Sequence, residues 1–267
     1  MIKKTNPSAK PPWRWAILGG VLGLLVATAM FAPAAWLGSV LTMVSQGRVV
    51  LNEPIGTVWN GSGQLVLSGG VGSRDATTLP GRIQWRLKPT ATLNLQAFID
   101  ADCCTTQSVN VLVSPHLNGV TALVRPSQSN WPAALLTGLG APFNTIDLQA
   151  SLKLETKQLK IELLNKKLKL EGSAALDVLD ASTRLSTLRP VGNYRLSFQG
   201  SQDSAAPSIK LETLSGSLLL SGNGQLTGSH WRFNGEASAA PGSEAALNNF
   251  LDILGRRVGP RSIITVG

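Results

Sequence analysis

The side chains that most often carry out catalysis are few and scattered in this sequence. Its two histidines, His116 and His230, stand alone, without the neighbouring residues that a zinc site or a Ser-His-Asp arrangement requires. Asp100 and Asp102 are two residues apart in an extended segment, and this spacing alone does not create an acid–base pair. The sequence therefore predicts a protein that binds or organises something and not an enzyme, with no catalytic residue, no metal ligand and no cofactor.

Cys103 and Cys104 are the only two cysteines, and adjacent residues do not crosslink distant parts of a fold. In an oxidising compartment they can close a vicinal disulfide that forces a tight turn. The alternative is a pair of small, inert side chains, and composition does not decide between the two. A redox enzyme is not expected because the sequence lacks a C-x-x-C motif.

An uncharged stretch near the N-terminus predicts a membrane-spanning helix. No Asp, Glu, Lys or Arg occurs between Arg14 and Arg48. A bilayer core about 30 Å thick requires about 20 apolar residues, and the segment 16–36 supplies them. The tryptophans at its two ends, where indole rings anchor a helix at the headgroup level, are Trp13, Trp15 and Trp36.

The charges that precede this helix predict its orientation. Four cations and no acidic residue come before it, namely Lys3, Lys4, Lys10 and Arg14. By the positive-inside rule they leave the N-terminus in the cytoplasm. We therefore predict a cytoplasmic tail over residues 1–14, a transmembrane helix over 15–37 and an external domain over 38–267.

A cleaved signal peptide is the alternative for this segment. Small residues at cleavage-site spacing occur in Ala27-Thr28-Ala29 and in Ala32-Pro33-Ala34. The apolar stretch continues beyond them through Leu37 and Val40, further than a typical signal-peptide core, which favours an uncleaved anchor.

The net charge of +9 does not indicate nucleic-acid binding. Four of these charges belong to the predicted tail, and the remaining basic excess is spread along the chain. The densest basic cluster is interleaved with Glu155, Glu162 and Glu171 and consists of Lys157, Lys160, Lys166, Lys167 and Lys169. This pattern is typical of the solvated face of a sheet, with an acidic lipid or protein partner as the alternative.

The remainder of the chain has the periodicity of β-strands. From Thr57 onwards apolar residues recur at every second position, as in Ile83, Trp85 and Leu87. About a dozen such segments joined by short turns predict an antiparallel meander. Two short helices interrupt it, one over residues 133–139 and one that follows Pro241-Gly242-Ser243 and ends at Gly255.

Three fragments with small residues inside predicted strands resemble one another. They cover residues 61–65, 172–176 and 222–226, and each ends in Leu. Glycine inside a strand marks a bend or the close approach of another group. We therefore predict a mainly β protein whose sheet is curved and open-barrel-like.

Several segments resemble the type II secretion system protein N family, also called general secretion pathway protein N. They are GTVWNGSG at 56–63, PGRIQWRL at 80–87, LRPVGNY at 188–194, WRFNGEA at 231–237, EAAL at 244–247, LGRR at 254–257 and SII at 262–264. The resemblance covers almost the whole chain and implies a single anchor followed by a periplasmic β domain. Relatives have a cysteine pair at a similar position, so it also favours a Cys103–Cys104 disulfide.

The resemblance implies an accessory component of the machine that exports folded proteins through the bacterial outer membrane. Such a protein lies in the inner membrane and contacts other secretion components, in the inner-membrane platform or the outer-membrane secretin complex, through strand edges or loops. The alternative is a lipid-handling groove of the AsmA-like kind, by analogy of fold. If the chain belongs to the secretion family that it resembles, Trp59 and Trp85 are expected to be core residues.

Overall fold

The computed structural model describes residues 13–165, 167–201, 206–227 and 230–267. Three of the cations in the predicted tail, Lys3, Lys4 and Lys10, lie outside these residues, as does Lys166 of the basic cluster. The described residues form an apolar N-terminal helix followed by a large antiparallel sheet that does not close, with a few short helices. This confirms the predicted fold class.

The apolar N-terminal stretch forms two helices, whereas the sequence predicts one over 15–37. Helix α1 covers Trp13–Met30 and helix α2 covers Ala34–Val44. Pro33 separates them because proline lacks an N–H group and its ring collides with the carbonyl four residues earlier. Trp36 consequently lies in the second helix and not at the end of the first.

The sheet contains sixteen strands among the described residues. They are β1 Val49–Gly56, β2 Asn60–Ser68, β3 Ala76–Thr78, β4 Ile83–Pro89, β5 Leu95–Ala101, β6 Val109–His116, β7 Gly119–Val124, β8 Ser127–Pro132, β9 Gln149–Leu164, β10 Lys167–Ser182, β11 Gly192–Gln199, β12 Ser208–Gly216, β13 Leu218–Thr227, β14 His230–Ala239, β15 Arg256–Val258 and β16 Arg261–Val266. Their spatial order is β1-β2-β4-β5-β6-β7-β9-β10-β11-β12-β13-β14-β16-β15, with β3 beside β2 and β8 beside β9. Every neighbouring pair is antiparallel, as expected for a meander.

Both predicted short helices are present. The first is a 3-10 helix over Ala133–Leu139, and the second is α4 over Glu244–Leu254, which ends at Gly255. A further single-turn helix, α3, covers Phe143–Ile146 and was not predicted from the sequence. Four residues are too few to produce a helical periodicity.

Three separate apolar clusters stabilise the sheet, each beneath a helix. Leu247, Phe250 and Leu251 of α4 pack against Tyr194 and Ala237. Under the 3-10 helix, Leu135 packs with Leu79, Ala101 and Cys104. Under α2, Ala34 packs with Leu51 and Trp85, and Trp85 is only 5% exposed.

In two of the three similar fragments, glycine is required for the same packing reason. A Cβ added to Gly61 would lie 2.6 Å from Cζ2 of Trp85, and one added to Gly224 would lie 2.7 Å from Cγ1 of Ile209. In both strands glycine leaves room for a large apolar side chain of the neighbouring strand. Gly172 differs from these two glycines because its backbone has φ +91°. It lies opposite Gln158, where the pairing of β10 with β9 shifts register. This bulge bends the two longest strands.

Alanine at Gly224 is expected to reduce the free energy of unfolding by about 1–3 kcal/mol, because the new methyl group collides with Ile209. In an Ile209→Ala background the nearest remaining atom is the Arg232 carbonyl oxygen at 3.1 Å, so the same change is expected to cost less. Denaturant unfolding of the four proteins of this cycle measures the coupling. An equal cost in both backgrounds would contradict the packing explanation.

The single tyrosine is expected to make stability depend on alkaline pH. Tyr194 is buried and donates a hydrogen bond of 3.0 Å from Oη to the Leu218 carbonyl oxygen. Burial raises the pKa of Tyr194 well above its usual range. The unfolded chain therefore loses this proton from about pH 10, while the folded chain retains it, so rising pH lowers the free energy of unfolding.

The measurement is the pH dependence of unfolding for the wild type and Tyr194→Phe, which shares every other titrating group. The wild type is expected to lose more stability above about pH 10 than the variant does. Tyrosinate absorbance reports the same residue directly, since the chain has one tyrosine. Ionisation near pH 10 in the still-folded protein would refute the expectation.

Candidate functional site

The turn between β1 and β2 contacts the end of helix α1. The Trp59 indole N–H donates a hydrogen bond of 2.6 Å to the Ala29 carbonyl oxygen, and the Val58 N–H donates one of 2.8 Å to the Ala32 carbonyl oxygen. Pro33 also forms an isolated β-bridge with Thr57. The last carbonyls of a helix have no donor within the helix, so this turn caps α1.

The same turn is held from the core side by Trp85. Its indole N–H lies 3.0 Å from the Val58 carbonyl oxygen and 3.3 Å from that of Thr57. Within the turn, the Asn60 N–H donates to Oγ1 of Thr57 over 3.1 Å. The Trp85 side chain thereby connects the turn that caps α1 to the buried cluster under α2.

The two tryptophans of this region differ from each other in burial. The expectation of a core position is confirmed for Trp85 and wrong for Trp59, which is only partly buried and uses its indole N–H on α1. Trp59 lies in the turn Thr57–Asn60 and not inside a strand, so the alternation of a strand does not apply to it. Its partner is 30 residues away, and no local sequence signal indicates that contact.

Part of the outer edge of β1 is obstructed. Oγ of Ser45 lies 3.0 Å from the Val49 nitrogen and 3.2 Å from its carbonyl oxygen. Pro54 lacks an N–H group. The opposite end of the sheet, β15, is only three residues long. Strand addition at these two ends, one of the modes considered from the sequence, is therefore not supported.

A polar groove of about 830 Å³ crosses strands β11 to β14. The side chains that line it include Gln199, Lys210, Asn223, Gln225, Arg232 and Asn234. Lys210 pairs with Glu212 at 2.7 Å. Within the described part of the chain, the amides of Asn223, Gln225 and Asn234 and the guanidinium of Arg232 have no side-chain partner. These groups remain available to an external ligand.

Ion pairs connect charged side chains on strands β9 to β11. Arg195 donates two hydrogen bonds to Asp177, of 2.6 and 2.8 Å, and they lower the pKa of that carboxyl. Lys160 lies 2.6 Å from Glu162, a contact that raises the pKa of the lysine. Most described lysines of the basic cluster alternate with glutamates across β9 and β10, as a solvated face does.

The residues considered for catalysis are not brought together. His116 lies in β6 with Nε2 3.1 Å from Oγ1 of Thr121, and His230 lies in β14. Asp100 accepts a hydrogen bond from Ser108, and Asp102 accepts one from the Arg82 N–H. Among the residues that the structure describes, no three His, Cys, Asp or Glu side chains form a group able to hold a metal ion.

Cys103 and Cys104 lie in the turn between β5 and β6, and their sulfur atoms are bonded. Cys104 is 5% exposed and packs with Leu79 and Leu135, whereas Cys103 is exposed. The Cys104 carbonyl oxygen accepts a hydrogen bond of 2.7 Å from the Asn130 N–H. Cys104 therefore joins this turn to the cluster under the 3-10 helix.

Serine at Cys104 is expected to lower the free energy of unfolding by about 1–3 kcal/mol more than serine at Cys103. Both variants remove the disulfide, but only Cys104→Ser places a hydroxyl group in the apolar cluster. The entropic contribution of so short a loop is small, so packing dominates. Denaturant unfolding of both variants measures the difference, and equal losses would mean that the disulfide itself is responsible.

The comparisons with known proteins give one family. The model of the family described as type II secretion system (T2SS), protein N, matches residues 47–264, which include the whole sheet except the last two residues of β16. Neither the curated proteins nor the solved structures contain a match. The family match covers most of the chain and agrees with the apolar helix and the open β domain that follows it. The chain therefore belongs to the type II secretion system protein N family.

Proposed function

We propose that this type II secretion component is an accessory, non-catalytic subunit that holds a periplasmic β domain at the inner membrane for contacts with other secretion proteins. One observation carries the proposal. Helix α1 is long and apolar enough to span a bilayer, none of its residues is buried, and the first turn of the β domain caps its end. The sheet is therefore in direct contact with the end of the apolar helix.

The proposed orientation has the N-terminus in the cytoplasm and residues 38–267 in the periplasm. Arg14 and the three lysines of the preceding tail support it, because cationic flanks are retained on the cytoplasmic side. The Cys103–Cys104 disulfide supports it as well, since disulfides persist in the periplasm and are rare in the cytoplasm.

The polar groove across β11 to β14 is the proposed contact surface. An amide side chain both donates and accepts hydrogen bonds, as a peptide backbone does, so the amides of Asn223, Gln225 and Asn234 suit a protein segment. The helices α2 and α4 and the 3-10 helix each cover part of the apolar face. The lipid-handling alternative is accordingly not favoured.

Charge reversal at Arg232 is expected to reduce export of type II substrates by about tenfold, which corresponds to about 1.4 kcal/mol of lost binding. Arg232 has no partner among the described residues, so Arg232→Glu leaves the sheet intact. Lys167→Glu is the matched control, because it makes the same change of charge at an exposed position on β10. Export is measured with an enzyme that the secretion system releases into the medium.

Photo-crosslinking in cells tests the same surface directly. A crosslinking residue at Asn223 is expected to capture a secretion component, whereas one at the exposed Thr92, in the turn between β4 and β5, is not. Normal export by both Arg232→Glu and a strain without the protein would refute the accessory role. Normal export by Arg232→Glu alone would refute the groove as the contact surface.

A further inference from the structure

Helix α2 has two apolar faces, and the protein covers only one of them. Ala34, Leu37 and Gly38 face the sheet, where they pack near Leu51 and Trp85. The opposite face is exposed and consists of Trp36 at 52%, Val40 at 55%, Met43 at 78% and Val44 at 79%. Val40 lies four residues after Trp36, and Met43 and Val44 follow Val40 by three and four residues, so these side chains form one continuous apolar stripe.

The polar groups of α2 do not require water. Oγ of Ser39 donates to the Ala35 carbonyl oxygen over 3.0 Å, and Oγ1 of Thr42 donates to that of Gly38 over 2.9 Å. The helix has no charged residue. A helix exposed to water normally carries polar and charged residues on its outer face, whereas these features suit an apolar environment.

The position of α2 is fixed relative to the end of α1. Four Cα–Cα steps separate Met30 from Ala34, so these residues are at most about 15 Å apart. The hydrogen bonds from Trp59 to Ala29 and from Val58 to Ala32 hold this connection against the sheet. Helix α1 is about 27 Å long at 1.5 Å per residue, close to the thickness of a hydrocarbon core.

We propose that the exposed stripe of α2 lies in the lipid of the bilayer surface, so that α2 is an interfacial helix between the membrane and the β domain. This inference rests on the proposed anchoring of α1. The stripe continues the apolar surface of α1 after only three intervening residues, and no charged residue occurs between Arg14 at the start of α1 and Arg48 after α2. This continuity selects the bilayer as the occupant of the stripe. Trp36 then lies at headgroup depth on the second helix, a depth that indole side chains prefer.

The consequence is a second attachment of the β domain. A single spanning helix leaves a domain free to tilt and rotate, whereas a helix lying in the interface and packed on β1 restricts both motions. Arg48, the first charged residue after α2, is exposed and suits the lipid phosphates beyond the stripe.

Fluorescence quenching in liposomes tests this proposal with the full chain. Single cysteines at Val40, at Leu22 of α1 and at Asn223 of the polar groove are labelled with bimane without reductant, which leaves the native disulfide closed. The liposomes contain phosphatidylethanolamine and phosphatidylglycerol with nitroxides near the headgroup or near the acyl-chain end. Iodide in the buffer reports exposure to water.

At Val40 we expect a blue-shifted emission that the shallow nitroxide quenches more than the deep one, with little quenching by iodide. At Leu22 we expect the deep nitroxide to quench the bimane emission most strongly. At Asn223 we expect quenching by iodide only. Quenching of Val40 by iodide alone would overturn the interfacial position. Protection of Val40 from both quenchers would also overturn it, in favour of a second copy that covers the stripe. If Leu22 is not quenched by lipid nitroxides, the anchoring itself fails.

Discussion

The N-terminal part of the structure depends on the position of Trp85. Its ring lies against Gly61 of the neighbouring strand, and its indole N–H holds the carbonyls of the turn Thr57–Asn60. This turn also supplies the hydrogen-bond donors that cap α1. Trp85 also packs beneath α2 with Ala34 and Leu51. One buried side chain therefore fixes both N-terminal helices relative to the sheet.

Glycine acts on this sheet in two ways. Glycines at 61 and 224 allow Trp85 and Ile209 to lie across the neighbouring strand, which a Cβ would prevent. At Gly172 an extra residue shifts the register of β9 and β10 and bends both strands. The three fragments are similar in sequence, but they act through two different mechanisms, close packing and a bulge.

The sequence predicts those features that depend on local periodicity or on backbone chemistry. The alternation in the strands, the apolar face of α4 and its stop at Gly255 are all local, and each is present in the structure. The break at Pro33 was also visible in principle, because proline ends a helix, but the hydropathy of residues 16–36 is continuous across it. Hydropathy measures the partition of side chains into lipid and is insensitive to a missing backbone donor.

The contacts that define the candidate site are not local, and for this reason the sequence does not reveal them. Trp59 and Ala29 are 30 residues apart, and the groove side chains come from four strands. In the sequence, Asn223 and Asn234 are two ordinary polar residues on the wet faces of their strands. They become neighbours only because β13 and β14 pair in the register that sets Asn223 opposite Asn234.

The two ends of the sheet offer little backbone for pairing with another strand. An open antiparallel sheet usually exposes its edge strands, and unpaired backbone groups there attract other strands indiscriminately. Here Ser45 contacts the backbone groups of Val49 on β1, Pro54 has no N–H group, and the other end is reduced to the three residues of β15. Side chains on a sheet face differ from one protein to another, whereas backbone groups are the same in every chain, and for this reason we propose the groove and not a strand edge as the contact surface.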